Sequence, residues 1–67
     1  MSVAKTIEIS AESTESFDDA VNKGIERTAA TVANIRSAWV KDQQVTVQDG
    51  KVVTYRVNMK ITFVVGD

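Results

Sequence analysis

From residue 51 to residue 65 the chain alternates between apolar and polar almost without a break. Val53, Tyr55, Val57, Met59, Ile61, Phe63 and Val65 fall on one side, and Thr54, Arg56, Asn58, Lys60 and Thr62 on the other. A period of two sustained over that length predicts a long antiparallel strand with one face on a core. A second extended run covers residues 35–48, and Asp49-Gly50 between the two runs is a strong hairpin signal, since this pair suits the positive φ values of a tight two-residue turn. The whole sequence has 67 residues, so nothing is left in the chain to cover the second face of so long a ribbon. That face must meet solvent, a ligand or another subunit.

Residues 3–11 read as a further strand, with Val3, Ile7 and Ile9 on one face and Thr6, Glu8 and Ser10 on the other. Ser13 is the expected N-cap of a helix, its hydroxyl accepting from the Glu15 or Ser16 amide. Glu15, Asp18 and Asp19 then place negative charge near the positive end of the dipole. Phe17, Val21, Gly24, Thr28, Val32 and Ile35 recur at spacings of three and four, and Ala20, Ile25 and Ala29 widen them into an apolar stripe. Asp19 and Lys23 hold the favourable i,i+4 spacing on the polar side. Gly24 lies within the stripe, where it costs about 1 kcal/mol against alanine; close packing of helix on sheet is the expected reason. The predicted fold is α+β in the order β-α-β-β, a three-stranded antiparallel sheet wrapped around one helix, in a single domain over residues 1–67.

A chain of this size buries only about 60% of its unfolded surface, and without cysteine it has no disulfide to offset a small core. Oligomerisation is the remaining staple. Histidine is also absent, which removes the usual general base near neutral pH and the commonest metal ligand together. Eight basic and nine acidic residues give a net charge of -1, with no basic run to follow a phosphate backbone, so nucleic acid is not an expected partner. Lys5, Glu8 and Glu12 interrupt the apolar pattern of the first residues, which argues against a signal peptide or membrane span and places the protein in the cytoplasm by expectation.

On the second strand Ala38 and Val40 have core character, which sends Ser37, Trp39, Lys41 and Gln43 to the other face. A simple register across the turn sets Trp39 near Lys60 and Gln43 near Arg56. Val45 and Val47 keep the opposite parity to Ala38 and Val40, so a bulge is expected between Asp42 and Val45. The outward Trp39 can pack on another subunit, stack on a flat ligand, or stand exposed without a role. Arg56 offers a planar fork for carbonyl or phosphate oxygens. The carboxylates Glu8, Glu12, Asp42 and Asp49 show no pairing in sequence, so no enzymatic activity is expected. A symmetric ring of Asp42 side chains in an oligomer could hold a hard cation through oxygen.

The chain resembles the dodecins throughout its length. The matching pieces are Ile7-Glu8-Ile9, the S-x-x-S-F helix entry from Ser13 to Phe17, the A-x-V-x-D-Q stretch from Ala38 to Gln43, and T-Y-x-V from Thr54 to Val57 with the alternating strand after it. The resemblance implies a hollow homododecamer that binds and stores flavin, as FMN or riboflavin, between symmetry-related tryptophans, with a glutamine on the ring edge. Alignment on these pieces puts Ser37 where the family's tryptophan belongs and Arg56 where its glutamine belongs. The implied ligand residues are Ser37, Trp39, Asp42, Gln43 and Arg56, with Trp39 on the same strand face as Ser37 and about 6.5–7 Å further along. Related chains with arginine at that place look like shells that hold ions or another small ligand in place of flavin.

Overall fold

The β-hairpin expected around Asp49-Gly50 organises the computed structural model, which describes residues 2–66. Met1 and Asp67, the two ends of the expected domain, lie outside the described residues. Four elements follow in order: β1 (Val3–Ser13), α1 (Phe17–Ala29), β2 (Ile35–Gln48) and β3 (Lys51–Gly66). All strand pairs are antiparallel, and the long third strand lies between the other two in the order β1-β3-β2. Asp49 and Gly50 have φ of 53° and 76° and lie between the facing pair Gln48 and Lys51. Positive φ at both positions is the type I′ geometry, which matches strand twist and is cheapest with Gly second.

Ser13 does not cap the helix as expected. Its hydroxyl accepts from the Glu15 amide at 2.9 Å and the Ser16 amide at 3.4 Å, which builds the turn before the helix. Ser16, in extended backbone, is the N-cap and accepts from the Asp19 amide at 2.9 Å. The helix also stops earlier than its apolar stripe. The Val32 amide still bonds the Thr28 carbonyl at 2.9 Å, but Asn34 turns into left-handed backbone at φ 63° and Ile35 opens β2. Asparagine tolerates that conformation better than a branched side chain does. Val32 and Ile35 thus continue the spacing without continuing the helix.

The helix lies on one face of the sheet and buries Ala20 against Val57 and Met59, with Ile9, Ala11, Phe17 and Val21 packed around them. Phe17 meets Tyr55 edge to face, ring centroids 5.1 Å apart, a favourable aromatic geometry. Gly24 has the expected reason to be glycine: a Cβ there would stand 2.8 Å from Met59 Cε and 3.0 Å from Ala11 Cβ. The protein is 52 Å long but only 20 Å and 13 Å in its other dimensions. A 13-residue helix spans about 20 Å, so the hairpin runs well beyond its cover. Val45 and Val47 on β2 and Val52 and Val53 on β3 are exposed.

Candidate ligand face of the sheet

The face turned away from the helix is built from cross-strand rungs, because residues opposite each other in antiparallel strands project to the same side. Thr6, Thr62 and Ser37 make one rung; Glu8, Lys60 and Trp39 the next; Ser10, Asn58 and Asp42 the third; and Glu12, Arg56 and Gln44 the fourth. Trp39 opposite Lys60 is the register expected from the turn.

The bulge sits one step earlier than expected. Val40 faces Met59 and Asp42 faces Asn58, so Lys41 is the extra residue. This corrects two placements. Asp42 and Gln44 join Ser37 and Trp39 on the outer face, whereas Gln43 stands opposite Val57 on the helix side and has no place in the outer rungs. Gln44, not Gln43, is the neighbour of Arg56. A second irregularity leaves Val53 as the extra residue between the Thr46–Thr54 and Val47–Val52 pairs, so Val53 departs from the alternation that holds from Tyr55 onward.

Each rung is closed by its own bonds. Lys41 reaches Glu8 at 3.1 Å, and Lys60 approaches the same carboxylate oxygen at 3.9 Å. The Lys60 ammonium also lies 5.6 Å from the centroid of the Trp39 ring, within the range of cation–π attraction. Asn58 accepts from Ser10 and donates to Asp42 at 2.5 Å. Arg56 holds Glu12 through Nε at 2.8 Å and also through Nη2. Sequence reasoning put Lys41 beside Trp39 on this face and Glu8 and Asn58 on the polar sides of their strands, but did not bring the three together. The chain runs from β1 to β3 through both α1 and β2, so no tight turn announces their register, and the bulge at Lys41 carries no glycine to mark it.

Trp39 is 65% exposed, the largest apolar side chain left open to solvent. A shallow cavity of about 390 Å³ lies beside its rung, lined by Glu8, Ser10, Lys41, Asp42 and Asn58. The exposed indole meets the stacking requirement of a flat ring such as flavin. The ring-edge requirement is not met at Arg56, whose guanidinium is an exclusive donor and is already closed on Glu12. For a cation the fit within one chain is poor: no three acidic side chains converge among the described residues. No helix of the described residues is long and apolar enough to cross a membrane.

Comparison with known proteins places this geometry in a family. The dodecin family model matches residues 3–66. The chain belongs to the dodecins. A curated relative, calcium dodecin from Mycobacterium tuberculosis, is 33% identical over 63 residues, covering 94% of this chain and 89% of the relative. Among solved structures, the dodecin from Streptomyces davaonensis superposes with a TM-score of 0.93 at 26% identity, over 98% of this chain and 97% of its own. The calcium-chelating dodecin of M. tuberculosis superposes at 0.81 with 34% identity, over 91% of this chain and 87% of that one. The expected β-α-β-β dodecin fold is therefore the fold of this protein.

Proposed function

We propose that this dodecin is a storage protein: a hollow homododecamer that sequesters a flat-ring ligand, flavin in the first instance, on the outer sheet face with Trp39 as the stacking platform. The observation that carries the reading is the indole itself, 65% exposed in a single chain on a face that carries no other aromatic side chain. An exposed ring beside a polar cavity is costly for a monomer and useful for a stack. Assembly is supported by what the helix leaves uncovered. The fully buried apolar side chains are only Ala20, Val57, Met59 and Ile61 among the described residues, while Val45, Val47, Val52 and Val53 stand open on the hairpin. Covering them in subunit contacts adds the apolar burial that a small core lacks.

Bound flavin would be kept from light and from free solution, which suits storage; the face supplies no group arranged for proton transfer, so an enzymatic role is not proposed. Cytoplasmic storage is part of the same proposal. Titration of riboflavin and FMN, followed by quenching of flavin fluorescence, with light scattering on the same sample, tests it. Saturable quenching by a twelve-subunit particle is the expected result. A particle that leaves flavin fluorescence unchanged removes flavin as the ligand, and a stable folded monomer removes the shell.

A second reading has its own support. Calcium dodecin is the relative at 33% identity, and Asp42 and Glu8 supply oxygen ligands on the same face. In this reading the shell holds hard cations between copies, since one chain brings too few carboxylates together. Equilibrium dialysis with calcium separates the two readings.

A further inference from the structure

Lys60 sits on the central strand, opposite Glu8 on β1 and opposite Trp39 on β2, so its side chain has a partner on either hand. Its ammonium lies 5.6 Å from the centroid of the indole and 3.9 Å from Glu8 Oε1. Both contacts are near the outer end of their range, about 6 Å for a cation over a ring and about 4 Å for an ion pair. The closer place on that carboxylate oxygen is held by Lys41 at 3.1 Å. Lys60 is therefore bound firmly by neither neighbour, and its flexible four-carbon stem lets it move between them.

This position bears on ligand entry because β2 is an edge strand. Beyond it the sheet offers no further strand, so a ring held by the outer face has to lie on the side of the indole turned toward β3, where Lys60 is. A neutral ring and an ammonium cannot occupy the same face of the indole. The ammonium has to leave before the ring stacks, and Glu8 is the place for it to go. Among the described residues, the ion pairs of Glu8 use Oε1, which leaves Oε2 to receive a retreating lysine.

We infer that Lys60 is a latch on the Trp39 platform: it covers the indole in the empty site and withdraws to Glu8 when a neutral flat ring stacks. Lys60 and Glu8 are then positioning residues that set the affinity of the site without holding the ring. The inference rests on the reading of Trp39 as the stacking platform for flavin, and adds the step that opens it. The apparent affinity of such a site is its intrinsic affinity scaled by the fraction of molecules in which the platform is uncovered. A cation–π contact at an exposed site corresponds to a factor of about two to five.

The experiment titrates riboflavin, which is neutral, into the full chain in whatever assembly it forms, following quenching of flavin fluorescence with light scattering on each variant. Lys60→Met, similar in length and uncharged, should tighten riboflavin about two- to fivefold, and Lys60→Gln should do the same. Lys60→Arg, which keeps a cation over the ring, should return the affinity to the parent's. Glu8→Gln should weaken binding, and that loss should vanish in the Lys60→Met background, because a residue that acts through Lys60 has no effect without it. Unchanged or weaker binding by both neutral variants, equal tightening by Lys60→Arg, or a Glu8→Gln loss that persists without Lys60 overturns the latch and keeps the stack. No binding of riboflavin by the parent or by any of the variants overturns the stack and the latch together.

Discussion

Gly24 of the helix and Met59 of the central strand approach so closely that a Cβ on Gly24 would stand 2.8 Å from Met59 Cε, with Ala11 Cβ at 3.0 Å on the other side. Glycine in a helix interior is usually a stability reserve worth about 1 kcal/mol when replaced by alanine. Here the added methyl has to displace both the end of a flexible side chain and a methyl fixed on β1. Overpacking of that kind costs about 1–3 kcal/mol, so Gly24→Ala should destabilise the fold instead of stabilising it. Urea denaturation reads the sign: a higher midpoint in the variant means that the helix rides further from the sheet than this geometry has it.

The turn before the helix carries a pH dependence. The Ser13 hydroxyl donates to Asp19 Oδ2 at 2.6 Å, and Lys23 sits 3.1 Å from the same oxygen. These contacts, Ser13 first and Lys23 second, hold the Asp19 carboxyl below its ordinary value. A carboxyl lowered by folding contributes stability above its unfolded pKa, about 3.9 for aspartate, and loses it as pH falls through the folded value. Lys23, raised chiefly by its hydrogen bond to Asp19, contributes below its own ordinary value and loses that above about pH 10.4. Asp19→Asn should therefore cost stability at neutral pH, and the gap to the parent should close below about pH 4. A gap that stays constant down to pH 2 would assign the effect to packing.

The fold was legible because its main signals are local. Alternation from Tyr55 to Phe63 and the Asp49-Gly50 turn fixed β3 and the hairpin, and Gly24 announced tight packing before any contact was known. The outer face was half legible. Counting outward from the turn set Trp39 opposite Lys60 correctly, because the irregularity at Val53 on β3 and the bulge at Lys41 on β2 offset each other by one residue. Between those two points the count is shifted, which is why Gln43 was put beside Arg56 and Gln44 is found there. The Glu12–Arg56 pair was hidden for another reason: 44 residues separate them, and only the β1 register brings them together.

Arg56 holds the position where the resemblance expects glutamine, and its fork is occupied by Glu12. Arg56→Gln frees that position and restores an acceptor. Both partners are roughly 40% exposed, so loss of the ion pair should cost no more than about 1 kcal/mol. Flavin affinity should rise, and rise further in the double variant Ser37→Trp/Arg56→Gln. Fluorescence titration of riboflavin measures both; affinities no better than the parent's would show that these two positions do not set the ligand.

The hairpin beyond the helix supplies the assembly prediction. Val45 and Val47 are exposed at 39% and 60%, and alternation along β2 puts them on the helix side, away from the Trp39 rung. If subunit contacts cover them, each charge placed there must be buried without a partner, a penalty of several kcal/mol repeated at every copy of the interface. Val45→Lys and Val47→Lys should each break the shell into smaller species, visible by light scattering. Trp39→Ala should leave the particle intact and remove only ring binding. The opposite pattern, an intact particle with lysine at Val45 and a broken one without Trp39, would move the indole from the ligand site into the subunit interface and leave the valines as solvent-facing surface.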